Sequence, residues 1–267
     1  MSTLSFDSVF PNGIGSLACE VPLKVKKGIS RRLRSKKLIL VSAVCPDYAR
    51  SERGFTYMAV SGGIPHIAKA HLEIVHALLA RLQEWGIDLE YHVTLADTEY
   101  DLPFVMRKMV DGDPLAFLER CQSSCERIIE EASRRSLPLK TCRRFTRAFP
   151  TWFTTYHAAL AEVRRELESD SSVRMNVDSN AGSRIALYQA MTSETVTHAY
   201  CREMAIRQLA QYMAWGRLAE EVFGTGAVMI NHSTPNLSRV NHPFSREGKE
   251  AIPILQLAQS TMPVTGD

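Results

Sequence analysis

The chain has 267 residues, of which 45% are hydrophobic and 23% charged, and its formal net charge is +3. This apolar content is enough for a packed core and excludes an intrinsically disordered chain. No apolar run approaches the roughly 18 residues that a membrane-spanning helix needs, so we expect no membrane association. The N-terminal residues MSTLSFDSVFPNG show no charged segment followed by an apolar core. We therefore expect a cytoplasmic protein whose six cysteines are reduced.

Positive charges cluster in two stretches that contain no acid. The first stretch lies within residues 24–37. Lysine and arginine bind nucleic-acid phosphates by releasing condensed counterions, so both stretches are candidates for RNA binding. Solvent-exposed helix ends would explain them equally well, and no zinc-finger, KH or RNP motif is present. The second stretch contains Arg134, Arg135, Lys140, Arg143, Arg144 and Arg147.

The first half of the chain predicts a βαβ unit. Residues 38–44 (LILVSAV) form an apolar run, which is typical of a strand buried on both faces of a parallel sheet. Pro65 then begins a helix whose apolar residues recur at helical spacing as far as Leu82. Gly86 ends this helix, and residues 87–96 predict a second strand. Strand, helix and strand within 60 residues favour a right-handed crossover.

The second half predicts mostly helices followed by late strands. Helices are predicted over 114–135, about 151–167 and 193–221, with Ser193 as the N-cap of the last one. Residues 227–231 and 252–258 predict strands, with a loop over 232–247. The order of elements indicates an α/β fold, a single Rossmann-like domain with a mostly parallel sheet and helices on both faces. The predicted organisation is a basic N-terminal leader, 1–37, and a catalytic domain, 38–267.

Three polar loops follow the predicted strands, at 45–53, 97–101 and 231–242. Ligands of open parallel sheets bind beyond the carboxyl ends of the strands, so these loops are read together as one candidate site. Cys45 directly follows the first strand and precedes Pro46, which turns the chain away from strand geometry. A thiol there is either an exposed nucleophile or a small buried apolar residue.

The other two loops carry groups that bind cations or transfer protons. The carboxylates of the 97–101 loop could bind an amine or a guanidinium, or they could cap the next helix. His232 and His242 could act as acid or base near neutral pH, or they could be incidental residues of a surface turn. Paired-histidine spacing, GxGxxG and GxxxxGK[ST] are all missing, so we expect neither a metal nor a cofactor.

Three segments resemble the cyclodipeptide synthase family. The strand 38–44 with Cys45–Pro46 resembles the family's first strand, where a Gly-x-Ser-Pro step carries the nucleophilic serine. Residues 201–214 (CREMAIRQLAQYMA) resemble the late catalytic helix, and AVMINH resembles the final strand. The resemblance implies a Rossmann-like fold related to class I aminoacyl-tRNA synthetases. It also implies an aminoacyltransferase of natural-product biosynthesis that takes two aminoacyl-tRNAs per turnover and makes a diketopiperazine through a covalent aminoacyl-enzyme.

Carried over residue by residue, the resemblance assigns roles in this chain. The nucleophile falls on Cys45, the family's helix tyrosine on Gln208, its glutamate on Tyr212 and its terminal histidine on His232. Because the tyrosine and glutamate are replaced, we expect residues near the strand ends to hold the substrate's amino group. The predicted catalytic residues are Cys45, Tyr48, Gln208, Tyr212 and His232, and the predicted substrate-binding residues are Asp47, Asp97, Glu99, Asp101, Asn231 and Asn236.

The predicted function is therefore an aminoacyl-tRNA-dependent cyclodipeptide synthase. The family holds tRNA on basic residues of a helix, which favours the stretch 134–147 as the tRNA-binding surface. The acidic 97–101 loop suits a cationic aminoacyl group, so arginine is the expected substrate of a divergent branch. Two alternatives are an isocyanide-synthase-like enzyme acting on a free amino acid and a non-catalytic RNA-binding module. The sequence does not assign an oligomeric state.

Overall fold

The structure is a computed structural model that describes residues 4–10, 23–50, 58–98, 113–192, 197–224, 226–232 and 254–257. The strands are β1 (Lys37–Val44), β2 (Tyr48–Arg50), β3 (Met58–Val60), β4 (Asp88–Leu95), β5 (Leu139–Arg144), β6 (Ala227–His232) and β7 (Ile254–Leu257). The helices are α1 (Phe6–Val9), α2 (Leu23–Leu33), α3 (His66–Glu84), α4 (Pro114–Arg134), α5 (Phe145–Ala148), α6 (Trp152–Ser169), α7 (Ser171–Thr192) and α8 (His198–Phe223).

Five parallel strands form the main sheet, in the order β5-β4-β1-β6-β7. A separate antiparallel hairpin, β2–β3, lies between β1 and α3. The chain first builds outward from β1 through β4 to β5, and then returns to the other side of β1 for β6 and β7. The strand order therefore reverses between β1 and β6, which is where ligands bind in doubly wound sheets. The predicted α/β fold with a parallel sheet is confirmed.

Side chains of β1 alternate between two hydrophobic cores. Leu38, Leu40 and Val44 pack with helices α1 to α4 on one face. Val41, with Ile39 and Ala43 packed beside it, faces helices α5 to α8. Because successive side chains of a strand point to opposite faces, a strand that is covered on both sides must be apolar at nearly every position. The apolar run 38–44 is therefore a consequence of the helices that cover both faces of β1.

The last helix begins later than the sequence predicts. Its N-cap is Thr197, whose hydroxyl accepts a hydrogen bond from the Tyr200 amide at 3.2 Å. Ser193, the predicted N-cap, lies outside the described residues. The prediction of Ser193 was wrong because serine and threonine cap helices similarly and local sequence does not choose between them.

Several elements were not predicted: the short elements α1, α5, β2 and β3, helix α2 in the predicted leader, and also α7 and β5. Helix α7 is rich in polar residues, and among its described side chains the buried ones recur at every fourth position, at Val173, Val177 and Ala181. Strand β5 carries the sequence LKTCRR, in which Cys142 is the buried residue. Polar composition conceals α7 and β5, because packing against α8 and β4 stabilises them where the local pattern does not.

The described part of residues 1–37 contributes to the core. Phe6, Val9, Ile29 and Leu33 are buried, at 2% exposure or less. The boundary at residue 37 stays a prediction, although α1 and α2 pack on the same core as α3 and α4. In the described part of the chain, no helix combines the length and hydropathy of a membrane span.

Candidate functional site at the carboxyl edge of the sheet

Cys45 follows β1 and His232 ends β6, and these two strands are neighbours at the point where the strand order reverses. Ser42 of β1 is in register with Ile230 of β6, so Val44 is level with His232 two residues further on. Cys45 and His232 thus lie three and two residues beyond the last residue pair of β1 and β6, at the same carboxyl edge of the sheet. Asn231 occupies the preceding position of β6, in register with Gln256. Asn236 lies outside the described residues, as do the side chains of Asn231 and His232.

Cys45 is partly exposed and packs beside the core formed with helices α5 to α8. The other cysteines that the structure describes are buried, namely Cys121, Cys125, Cys142 and Cys201. A hydrogen bond with the neighbouring Cys125 thiol and burial raise the pKa of Cys142, so the Cys142 thiol stays protonated. Cys45 is therefore the most accessible thiol among the described residues and the one suited to act as a nucleophile.

Helix α8 lies along the sheet antiparallel to β4, so its C-terminal end points away from this edge. Its C-terminal Phe223 ring lies 4.8 Å from the ring of His92 on β4. Earlier in the helix, Trp215 Nε1 donates a hydrogen bond to Thr94 Oγ1 at 2.8 Å. Thr94 is two residues nearer than His92 to the carboxyl end of β4. Because a helix rises about 1.5 Å per residue, the turns that precede Trp215 extend beyond Thr94 toward the end of the strand.

Gln208, Gln211, Tyr212 and Trp215 share one face of α8 by their helical spacing. Gln208 Nε2 donates a hydrogen bond to the Tyr212 hydroxyl at 3.3 Å, so the two positions assigned from the resemblance contact each other. Gln211 is only 9% exposed, and its Nε2 is buried with no hydrogen-bond partner among the described residues. Gln211 is not among the residues predicted from the sequence, where its one signal is its place on the same helix face as Gln208 and Tyr212.

Asp97 follows β4 and is completely buried. Its carboxylate accepts hydrogen bonds from Thr146, at 3.1 Å from the backbone amide and 2.5 Å from the hydroxyl, and Arg144 lies 3.8 Å away. Burial raises the pKa of Asp97, while the contacts with Thr146 and Arg144 oppose the rise. The carboxylate thereby fixes the start of α5 to the end of β4. Contact with a substrate amine stays a prediction, and Glu99 and Asp101 lie outside the described residues.

Asp47 and His66 form a pair two residues beyond Cys45. His66 Nδ1 lies 2.5 Å from Asp47 Oδ1, and the His66 backbone amide donates to Oδ2 at 2.7 Å. The Ser61 amide also donates to the Asp47 carbonyl at 2.9 Å, which closes the base of the β2–β3 hairpin. Both carboxylate oxygens of Asp47 are thus engaged by His66. Tyr48 begins β2, and its side chain lies outside the described part.

Some cations of the basic stretch 134–147 pair with acidic side chains, and others are exposed without such a pair among the described contacts. Arg134 and Arg135 both contact Glu131, and these contacts lower the pKa of that carboxyl. Arg144 lies near Asp97, as described above. The exposed side chains along the β5 edge of the sheet and the following helix are Lys140, Arg143 and Arg147.

A cavity of about 210 Å³ is lined by residues of β1, β4 and β5 and by the C-terminal end of α8. Ile39, Glu90 and His92, which line it, lie in the first five residues of β1 and β4. His92 is hydrogen-bonded on both ring nitrogens, to Thr141 Oγ1 and to Glu90, each at 2.8 Å. The cavity is therefore separate from the predicted catalytic residues.

No family model matches the sequence. Diaminopimelate epimerases from Chlamydia trachomatis are 25% identical to it over 118 residues, which is 40% of this chain and 41% of theirs. The chain thus spans less than half the length of the curated relatives it matches, and this likeness assigns neither a family nor an activity.

Solved structures give a more extensive match. A cyclodipeptide synthase from Fluoribacter dumoffii covers 89% of this chain and 95% of its own, with a TM-score of 0.54 and 10% identity. One from Bacillus thermoamylovorans covers 88% and 94%, with a TM-score of 0.51 and 12% identity. The cyclodipeptide synthase from Candidatus Glomeribacter gigasporarum, solved bound to Phe-tRNAPhe, covers 85% and 89%, with a TM-score of 0.49 and 11% identity. The fold of this chain, a parallel sheet with helices on both faces, is therefore similar to the Rossmann-like fold of solved cyclodipeptide synthases.

Proposed function

We propose that this protein is an aminoacyl-tRNA-dependent cyclodipeptide synthase that uses Cys45 as its acyl acceptor. The observation that carries the proposal is the position of Cys45. It is a partly exposed thiol at the reversal of strand order, in a sheet with the fold of cyclodipeptide synthases. The nucleophilic serine of the resemblance falls on this same position.

The thiol supplies the first covalent step. The Cys45 sulfur attacks the carbonyl carbon of the aminoacyl ester, an S–C bond forms, and the C–O bond to the tRNA ribose breaks. The thiol proton leaves with the ribose hydroxyl, so the products are a thioester and uncharged tRNA. A thioester is a more activated acyl donor than an ester, which suits the peptide bonds that follow.

Helix α8 supplies the hydrogen-bonding side of the site. The resemblance assigns the family's tyrosine and glutamate positions to Gln208 and Tyr212, whose side chains contact each other. The buried amide of Gln211 is a donor without a described partner, and we assign it to the acyl carbonyl. A buried donor that gains a partner only in the complex contributes more than one that water already satisfies. His232, Asn231 and Asn236 complete the proposed site from the β6 side.

The tRNA partner is assigned to the basic edge of the sheet. Lys140, Arg143 and Arg147 are exposed and lie on β5 and the helix that directly follows it. Arg134 and Arg135 are partly neutralised by Glu131 and add less to the attraction. Such a row of cations fits the phosphate backbone of two aminoacyl-tRNAs that bind in turn.

The proposal further assigns arginine as the amino acid carried by one of the two aminoacyl-tRNA substrates. It depends on the carboxylates of the 97–101 loop, which pair with a guanidinium in a planar geometry. Asp47 and Asp97 are already engaged by His66 and Thr146, so Glu99 and Asp101 are the acids assigned to the guanidinium.

The test compares small molecules released by cells that express the wild type or Cys45→Ala, measured by mass spectrometry. We expect a new diketopiperazine, containing arginine, that disappears in Cys45→Ala and partly returns in Cys45→Ser. Cys121→Ala, in the opposite core, is the matched control and should keep the product. A product that survives in Cys45→Ala would contradict the role of the thiol. A product that forms from a free amino acid after ribonuclease treatment would favour the isocyanide-synthase-like alternative.

A further inference from the structure

The Asp47–His66 pair lies beyond the carboxyl end of β1, as the proposed nucleophile does, and neither the fold comparison nor the resemblance gives His66 a role. Asp47 is two residues from Cys45, a separation of at most about 7 Å between Cα atoms. Asp47 holds His66 through two contacts, one to the ring at 2.5 Å and one to the backbone amide at 2.7 Å. The ring therefore has a fixed place beside the carboxyl edge.

The contact also fixes which ring nitrogen carries the proton. An ionised carboxylate only accepts hydrogen bonds, so Nδ1 of His66 is the donor to Asp47. In the neutral imidazole, Nε2 then holds a lone pair on the opposite side of the ring. No hydrogen bond to Nε2 comes from the described residues, and the side chain is 45% exposed. The geometry is that of a base whose orientation is set by a carboxylate.

A cyclodipeptide synthase needs such a base, because each peptide bond requires an amine that has lost a proton. Resting on the proposed function, we propose that His66 Nε2 is the proton acceptor for the amine that attacks the thioester on Cys45. In this step the N–C bond forms and the C–S bond breaks. One amine proton passes to Nε2, and the imidazolium returns it to the departing Cys45 sulfur. Asp47 is a positioning residue that holds the ring in the required tautomer.

His66→Asn is the variant that isolates the base. The asparagine side-chain nitrogen can replace Nδ1 as a donor to Asp47, and the backbone amide still donates to the same carboxylate, so the start of α3 keeps its cap. The variant lacks only the atom that accepts the proton. Asp47→Asn tests the positioning role, because an amide no longer enforces the Nδ1–H tautomer.

The experiment separates the two half-reactions of the full-length protein. Wild type and His66→Asn are first loaded with total tRNA charged with radiolabelled amino acids, and the thioester is counted on the protein. A chase with fresh charged tRNA then measures how fast the label leaves as product. A second chase uses hydroxylamine, a nucleophile that is neutral near pH 7 and attacks a thioester without a base.

We expect normal loading of His66→Asn, a chase with charged tRNA that is about 10²- to 10⁴-fold slower, and an unchanged chase with hydroxylamine. Asp47→Asn should show the same pattern with a smaller loss. Equal chase rates with charged tRNA in wild type and His66→Asn would overturn the role of His66. An equally slow hydroxylamine chase would overturn it too, because the damage would then be structural. If wild type forms no thioester, the proposed function fails, and this inference fails with it.

Discussion

Trp215 and Thr94 are joined by a hydrogen bond across the interface between α8 and β4, with 2.8 Å between Nε1 and Oγ1. Thr94 Oγ1 in turn donates to the Ser42 carbonyl of β1 at 3.0 Å, and Ser42 Oγ lies 2.8 Å from the Tyr91 hydroxyl. This buried network ties the helix that carries Gln208, Gln211 and Tyr212 to the strand that ends before Cys45. The network therefore sets how α8 meets the carboxyl edge.

Trp215→Phe should destabilise the protein more than Trp152→Phe does. Both tryptophans are 1% exposed in the same core, so the loss of ring volume is matched. Trp152 Nε1, however, is buried without a hydrogen-bond partner in the described part of the chain. We expect the free energy of unfolding to fall by about 1 kcal/mol more in Trp215→Phe, as measured by urea unfolding. Equal losses would mean that the bond to Thr94 adds nothing to stability.

Gln211→Met should separate stability from activity. Methionine has a similar length and removes a buried amide that has no described partner, so the free energy of unfolding should stay unchanged or rise by about 1 kcal/mol. If the amide binds the acyl carbonyl, turnover should fall by about 10²-fold. Gln208→Met, at a partly exposed amide bonded to Tyr212, is the comparison for stability. A clear loss of stability in Gln211→Met would show that its amide is satisfied within the protein.

Asp97→Asn should change how stability depends on pH. The folded-state pKa of Asp97 is raised above 3.8, so between the unfolded and folded pKa values the native state binds more protons than the unfolded state. The free energy of unfolding therefore falls as pH rises through that window, and this contribution is fully present only below it. Asparagine does not titrate and can still accept from the Thr146 amide.

The measurement is urea unfolding of wild type and Asp97→Asn at a series of pH values. The stability of wild type relative to Asp97→Asn should be greatest in acid and should decrease toward neutral pH. Taking the difference cancels Glu131, whose lowered pKa acts in the opposite direction. Parallel curves for the two proteins would show that the pKa of Asp97 is not raised.

Removing the exposed cations of the β5 edge should weaken tRNA binding and its dependence on salt. Each lost phosphate contact lowers the slope of log K against log salt by roughly 0.7 to 0.9, so Lys140→Ala/Arg143→Ala/Arg147→Ala should lower it by about 2 to 3. Arg134→Ala should change it less, because Glu131 already pairs with that guanidinium. Filter binding at several salt concentrations measures the slope. An unchanged slope in the triple variant would place the tRNA elsewhere.

Local pattern was enough to predict the central βαβ unit and the two-sided burial of β1. The residues that carry those signals are neighbours in sequence: the apolar run 38–44, the helical spacing after Pro65, and Gly86. Strand and helix periodicity are local properties, so they can be read without knowing what packs against them. The same locality placed Cys45 directly after β1 and His232 at the end of β6.

The side-chain pairs around the candidate site are formed by residues that are far apart in the sequence. Asp47 meets His66 across 19 positions, Asp97 meets Thr146 across 49, and Thr94 meets Trp215 across 121. Polar composition also concealed α7 and β5, which form because they bury a few side chains against α8 and β4. The sequence by itself determined the central βαβ unit and the edge of the sheet at which the proposed site lies. Only the tertiary structure decided which carboxylates are already engaged, which amide is left without a described partner and which histidine pairs with Asp47, because packing across the sheet sets these pairs.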